Sequence, residues 1–360
     1  PSIEYAEKGY QILPLEAYRQ ESEKNIFKEF EGTRIHFLHE NGNSYKAGDL
    51  FIQKTLSETL KQIAINGKSG FYEGEVALKM VKDIQSNGGI LTLDDLKNYK
   101  ALDSEVLKGT FEDTEVYSLN LPSYGAITIQ ILQIVDQLSK PNSEESWAKY
   151  FNSSTALAYS YRNYQQNPDS LARILDYDLA KEWAKKIEED ALQLAENTLK
   201  IIPESWTASI GHTTHLTAAD DQGNVVSLTQ TIGPNMGSKV ASKDLGFLYA
   251  VSLGGYLGEY NPGDRLNSHI SPTLFLKNGI IQLAIGAAGG SRIITAITQV
   301  AHRYLSQKNN LNKALYLPRV YPFEDTLWIE DHDGIRELNA EFDPDVYPIK
   351  MIDEKARFGR

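Results

Sequence analysis

The stretch that decides the fold runs from Thr213 to Val240, TTHLTAADDQGNVVSLTQTIGPNMGSKV. It opens with Thr213-Thr214-His215 and alternates small and apolar residues up to Asp220-Asp221-Gln222-Gly223-Asn224, a run of turn formers. A second alternating run, Val225 to Ile232, puts Ser227, Thr229 and Thr231 on one side and Val226, Leu228 and Gln230 on the other. Two such runs around a turn predict a β-hairpin with hydroxyls crowded on one strand face. The segment before it, Thr198 to His212, has no clear period and reads as a mobile connector that ends immediately before Thr213.

Downstream, the chain stays rich in strands. Gly246 to Tyr256 is apolar with glycines, Glu259 to Asp264 turns around Asn261-Pro262-Gly263, and Ser271–Leu276 with Gly279–Ile285 forms a strand pair around Lys277-Asn278. Then comes Gly286-Ala287-Ala288-Gly289-Gly290-Ser291-Arg292, leading into a helix from Ile293 to Leu305. A passage from strand through glycines to helix presents backbone N–H groups to an anion or a developing oxyanion. The same small residues also suit plain close packing of strand on helix. The stretch lacks the Gly-Lys-Ser/Thr of a phosphate loop, and its spacing fits no dinucleotide fingerprint.

Upstream, residues 1 to 110 read as mostly helical scaffold. Helices are expected over Glu16–Phe30, over Asp49–Asn66 with Phe51, Leu56, Leu60 and Ile63 on one face and a stop at Gly67, and over Glu73–Asn87 closed by Gly88-Gly89. Thr92 caps a short helix from Leu93 to Tyr99 whose first turn carries Asp94 and Asp95. Val106–Phe111 and Thr114–Leu119 predict a hairpin around Glu112-Asp113, and the loop Leu121 to Ala126 feeds an apolar helix from Ile127 to Leu138. Helices are expected at about Glu144 to Tyr164 and Leu179 to Asn197.

Composition narrows the function classes. The 360 residues hold 41% hydrophobic and 10% aromatic side chains, as in an ordinary globular protein, and are long enough to bury a substantial core. A net charge of −12, with no basic face, argues against nucleic acid or an anionic membrane as partner. No apolar run approaches the roughly 20 residues of a membrane helix. The chain has no cysteine, which removes disulfides, thiolate metal sites and cysteine nucleophiles. It begins at Pro1 and finishes at Arg360 with neither a starting Met nor an evident stop, and so reads as cut at both ends.

The seven histidines are scattered, and His212, His215 and Asp220 lack the helix that would make them a metal site. There is no GxSxG elbow for a serine triad. A threonine hydroxyl activated by its own amine remains, and it requires the bond before Thr213 to be cut.

Thr213-Thr214-His215 followed by Asp220, Gly223-Asn224, Val226 and Thr229 to Thr231 resembles the start of the small subunit of the gamma-glutamyltranspeptidases, members of the N-terminal nucleophile hydrolases. The resemblance continues through Gly237-Ser238, Pro262-Gly263-Asp264-Arg265, Ser268 and Ser271-Pro272-Thr273, and is clearest at Gly289 to Thr295, GGSRIIT. Upstream, Pro1 to Ala6, Phe71 to Gly74, Gly88 to Thr92 with Asp95, Leu96 and Tyr99, and Pro122-Ser123 through Gly125 resemble large-subunit motifs in order.

This resemblance implies an α+β fold, a four-layer αββα sandwich incomplete at the N-terminus. It divides the sandwich into a large-subunit-like region, 1–212, and a small-subunit-like region, 213–360. It implies self-cleavage between His212 and Thr213, Thr213 as nucleophile, Thr231 as the hydroxyl bonded to it, and Gly289 and Gly290 as the oxyanion hole. The reaction implied is cleavage of a γ-glutamyl amide, with water, an amino acid or a peptide as acceptor. The resemblance further implies that the two processed chains remain associated as a heterodimer, that no cofactor or metal is called for, and that the location is periplasmic or extracellular.

Substrate-binding positions depart from the family pattern. The family's amine ligands, an asparagine, a glutamine and an aspartate, fall at Gly233, Ser252 and Gly255, and its serine pair at Ser268-His269. The carboxylate-binding arginine of the family lies in an N-terminal region outside this sequence. Acyl amides without a free α-amine are therefore an alternative substrate class, and a non-catalytic, unprocessed binding protein on the same fold is an alternative of another kind.

Overall fold

A computed structural model describes residues 1–199, 211–251, 260–323, 326–330 and 349–352. The chain gathers into two units, Pro1–Asp103 with Ile232–Ser252, and Ser104–Thr231 with Leu253–Arg360.

The first unit is helical, as its periodicity predicts. Its elements are α1 (Ser2–Lys8), β1 (Tyr10–Gln11), α2 (Pro14–Phe27), α3 (Glu31–Phe37), β2 (Leu50–Phe51), α4 (Lys54–Asn66), α5 (Ser69–Tyr72), α6 (Gly74–Ser86) and α7 (Leu93–Asn98). Pro14 starts α2, where its missing N–H costs nothing. Thr92 and Asp95 form a capping box at the start of α7, and Gly67 closes α4 at φ 58°. The helix expected from Asp49 begins only at Lys54. Leu50 and Phe51 instead pair antiparallel with Gln11 and Tyr10, which buries Phe51 against Phe37 and Tyr45. Burial of that ring outweighs the helical spacing that had joined Phe51 to Leu56. The returning segment from Ile232 is fastened here by Thr33, whose hydroxyl donates to the Lys239 carbonyl (2.6 Å) and accepts from Ala241 N–H (2.8 Å).

The second unit holds the larger core. It contains β3 (Val106–Phe111), β4 (Thr114–Leu119), α8 (Gly125–Gln137), α9 (Glu144–Ser160), a 3₁₀ turn (Arg162–Gln166), α10 (Pro168–Ile174) and α11 (Tyr177–Leu199). These are followed by β5 (Gly211–Ala219), β6 (Val225–Pro234), β7 (Thr273–Lys277) and β8 (Ile280–Ile285). The remaining elements are α12 (Arg292–Ala301), a π turn (His302–Ser306), α13 (Leu311–Tyr316), β9 (Val320–Phe323), β10 (Thr326–Glu330) and β11 (Ile349–Ile352).

Strands β3, β4, β7 and β8 form one antiparallel sheet in that order. Along β3 and β4 burial alternates residue by residue, with Leu107, Phe111 and Val116 facing the core. Helix α8 is buried on every residue from Gly125 to Val135, which accounts for its nearly unbroken apolar run. Asn278 and Gly279, both at positive φ, supply the tight turn between β7 and β8.

Three features depart from the expectations. The helix from Glu144 stops at Ser160 and gives way to the 3₁₀ turn. Helix α10, which no expectation covered, starts where the Asn167 side chain accepts from Ser170 N–H ahead of Pro168. Strands β9, β10 and β11 form a further sheet, antiparallel and then parallel, in a region without a clear sequence signal. A buried ion pair, Arg319 Nη2 to Glu330 Oε1 at 2.8 Å, ties it to the chain before β9. The helix-and-sheet architecture is α+β, as expected. Most of the expected connector, residues 200–210, and the last residues of the chain lie outside the described residues.

Candidate active site

Strand β5 starts at Gly211 and passes through the His212–Thr213 bond without interruption. The chain is thus already extended at that bond, two residues earlier than the sequence suggested. Asp220 organises the turn: its carboxylate accepts from Gln222 N–H (3.0 Å), Asn224 N–H (2.8 Å) and the Asn224 side-chain amide (2.7 Å). These bonds, the Asn224 side chain first, hold the Asp220 carboxyl below its ordinary range.

The turn sets the register. Thr213 stands opposite Thr231 with their hydroxyl oxygens 3.4 Å apart, and His215 Nδ1 lies 2.9 Å from the Thr229 hydroxyl. His215 Nε2 is 3.1 Å from the Thr217 hydroxyl, and the Ser227 hydroxyl donates to the Ile285 carbonyl (3.2 Å). The hydroxyls therefore face inward, while Leu216, Val226 and Leu228 are 43%, 55% and 44% exposed. Burial lowers the His215 pKa, opposed by a backbone bond at Leu228, so the imidazole is neutral near pH 7. Its nitrogens face threonine hydroxyls, and no cluster of three potential ligands forms among the described residues.

The glycine passage after β8 comes up against this hairpin. A Cβ on Gly286 would lie 2.2 Å from His215 Nδ1, so only glycine lets the ring rest on the backbone there. Three residues on, Gly289 and Gly290 adopt φ 141° and 63°, a sequence of conformations that side-chain-bearing residues resist. The Gly289 carbonyl accepts from Arg292 N–H (3.3 Å) and from Arg292 Nε (3.2 Å), and the Gly290 carbonyl accepts from Ile293 N–H (3.1 Å). The turn thereby enters α12 with its carbonyls directed into the helix start.

Ser268 and His269 belong to a neighbouring cluster. Ser268 N–H donates to the Pro122 carbonyl (2.7 Å), and the His269 ring, 4% exposed, stacks on Tyr124 with centroids 5.2 Å apart. Burial first, and the Arg162 charge second, hold His269 well below its ordinary pKa. Its ring is enclosed beneath the surface. Gly233 lies farther along β6 at φ 97°, a backbone state suited to glycine, and has no side chain to offer a ligand. Ser252 and Gly255 lie outside the described residues.

The sequence of the chain matches a family pattern. A family model described as gamma-glutamyltranspeptidase covers residues 1–346. The chain belongs to the gamma-glutamyltranspeptidase family. It is 29% identical to the glutathione hydrolase proenzyme of Escherichia coli (strain K12) over 97% of its own length and 60% of the relative's. It is 30% identical to the glutathione hydrolase proenzyme of Bacillus subtilis (strain 168), over 89% and 59% respectively. The chain thus spans about three fifths of these relatives' length. Its fold is that of the cephalosporin acylase from Bacillus halodurans, with a TM-score of 0.81 at 21% identity, covering 100% of this chain and 68% of that one.

The family motifs leave several neighbours of the site unmarked. Tyr159, on the buried face of α9, donates to the Ser291 carbonyl, and Tyr321 on β9 lies 2.8 Å from the Ser291 hydroxyl. The Arg162 guanidinium lies 4.6 Å over the Tyr124 ring. Only tertiary structure assembles these residues, since 162 positions separate Tyr159 from Tyr321 and no periodic pattern connects them. Among the described residues no helix is long and apolar enough to cross a membrane.

Proposed function

We propose that the whole protein is a self-cleaving enzyme that acts on amides through Thr213. The observation that carries this reading is the pairing of the Thr213 and Thr231 hydroxyls, 3.4 Å apart, on a hairpin whose His215 rests on Gly286, three residues before the Gly289–Gly290 turn. In the first reaction the Thr213 hydroxyl attacks the His212 carbonyl. The acyl group shifts from nitrogen to oxygen, and water then releases the new chain end. The freed α-amine serves as general base for the Thr213 hydroxyl, which attacks the substrate amide. Gly289 and Gly290 N–H groups receive the oxyanion, the amine leaves, and water or an acceptor amine resolves the acyl-enzyme. Each such donor contributes roughly 3 to 4 kcal/mol to barrier lowering.

The proposed products of processing are chains 1–212 and 213–360, which remain paired as a heterodimer. The proposed donor is a γ-glutamyl amide such as glutathione, in a periplasmic or extracellular setting. Gly233 favours a second substrate class: with no side chain at that place to hold an α-amine, acyl amides that lack one are accommodated as well. The fold shared with a cephalosporin acylase accords with that alternative.

The test uses the full-length protein on a denaturing gel, with N-terminal sequencing of the smaller band. The expected sequence is Thr-Thr-His-Leu, and Thr213→Ala abolishes both the band and amidase activity. An uncut chain that keeps amidase activity would overturn the proposal. Rates on γ-glutamyl-p-nitroanilide, its N-acylated analogue and a glutaryl amide then separate the two substrate classes.

A further inference from the structure

We propose that Tyr159 and Arg292 are positioning residues that aim and polarise the Gly290 N–H through two peptide groups in series. The inference rests on the assignment of Gly290 as an oxyanion donor. It names the machinery behind that donor.

The geometry follows from the planarity of the peptide. In a trans peptide the C=O and N–H of one unit point in opposite directions, and among the described residues the only cis bond is Leu121–Pro122. At the inner end, the Tyr159 hydroxyl donates to the Ser291 carbonyl at 2.5 Å. The other side of that same peptide is the Arg292 N–H, which donates to the Gly289 carbonyl at 3.3 Å. The other side of that second peptide is the Gly290 N–H. Holding the Gly289 carbonyl toward the helix start therefore turns the Gly290 N–H away from it.

The hydrogen bonds run in one sense, from the Tyr159 hydroxyl through the Ser291–Arg292 peptide and the Gly289–Gly290 peptide to the Gly290 N–H. Aligned donors and acceptors in such a chain polarise one another, most strongly where water is excluded. Tyr159 and Ser291 are each 1% exposed and Arg292 is 6% exposed. Burial raises the Tyr159 pKa well above its ordinary value, so the phenol keeps its proton and remains a donor. Arg292 adds a second bond, Nε to the Gly289 carbonyl at 3.2 Å, that brings a positive charge to the last acceptor. The arrangement also explains why the Gly289–Gly290 passage needs a buried tyrosine from α9 as well as the α12 helix start. A helix start alone leaves the peptide free to rotate about its two flexible glycines.

Tyr321 is the internal control. It lies 2.8 Å from the Ser291 hydroxyl, outside the peptide series, and is fully buried like Tyr159. Removal of either phenol oxygen costs the core a buried hydrogen bond to Ser291, but only the Tyr159 bond belongs to the series.

The experiment compares Tyr159→Phe and Tyr321→Phe in the full-length protein by kcat, KM and the amide proton shift of Gly290 in glycine-labelled protein. Loss of one hydrogen bond at the head of the series lowers kcat roughly tenfold in Tyr159→Phe with KM nearly unchanged. The Gly290 amide proton moves upfield in Tyr159→Phe and stays in place in Tyr321→Phe, whose kcat remains within about twofold of wild type. Equal loss of kcat in the two variants, or an unmoved Gly290 signal in Tyr159→Phe, overturns the inference. If Tyr159→Phe does not fold, Arg292→Lys, which keeps the charge and loses Nε, carries the same kcat and amide-shift comparison. A wild-type protein without Thr213-dependent activity defeats the functional assignment, whereas the amide shift still decides the series.

Discussion

Two hairpins of the second unit, β3–β4 and β5–β6, share a period and differ in what they turn inward. In β3–β4 the inward positions include Leu107, Phe111 and Val116, all buried in the main core. In β5–β6 they include Thr213, His215, Ser227, Thr229 and Thr231, and the aliphatic side chains face out. Polar groups taken from water cost free energy unless they are bonded, so the second pattern contributes little to folding by packing. Its hydroxyls are instead bonded to one another, to His215 and to the Ile285 carbonyl. Alternation thus reports a strand and says nothing of which face is inside. A hairpin with its hydroxyls inward has an inner face held by hydrogen bonds rather than by apolar packing.

That contrast predicts different responses to substitution and pH. Phe111→Ala removes a fully buried ring from the β3–β4 core and should cost about 3 to 5 kcal/mol in urea unfolding, while kcat per folded molecule stays unchanged. A selective loss of kcat would show that the two hairpins do not divide their labour in this way.

Acid should act on the same core. His302, with its ring centroid 6.1 Å from that of Phe111, has its pKa lowered to about 3, chiefly by burial and then by Arg303. Below about pH 6.5 the unfolded chain takes a proton that the folded His302 refuses, so stability is full above that pH and falls steadily toward pH 3. At pH 5 this one residue accounts for about 2 kcal/mol of lost stability, and His302→Gln should remove that part of the slope between pH 7 and 5. His269, also held below its ordinary pKa, acts in the same direction. Unfolding midpoints that do not change between the two pH values would rule out neutral burial of both rings.

The smallest effect is expected on the outer face of β5–β6. Val226→Thr at a 55% exposed position should change stability by no more than about 0.5 kcal/mol and leave kcat as it is. A large loss on calorimetry would mean that this face, too, is covered in solution.

The sequence was most legible where local chemistry and tertiary burial agree. Glu112-Asp113 and Asp220 to Asn224 announce their turns, and the hydroxyl alternation of Ser227, Thr229 and Thr231 correctly puts them on one face. Legibility failed where a distant partner overruled a local period. Phe51 has helical spacing to Leu56 yet pairs with Tyr10 in β2, and the sheet of β9 to β11 depends on partners that local pattern does not announce. At the candidate site the motif residues are visible in the sequence, whereas the need for glycine at Gly286 comes from the His215 ring that lies on it, a tertiary contact. Likewise, Tyr159 lies within the helix expected from Glu144 to Tyr164, and its bond to Ser291 joins positions that no local pattern connects.

The three hydrogen bonds gathered by Asp220 have a consequence in time. Because they join residues no more than four apart, closing that turn involves a minimal loop and belongs to the fast, local events of folding. Once it closes, the strands can only zip outward in one register, and Thr213 arrives opposite Thr231 as the last rungs form. A slip of one residue would carry every hydroxyl to the opposite face. The placing of Thr213 is therefore decided early, by an aspartate seven residues away.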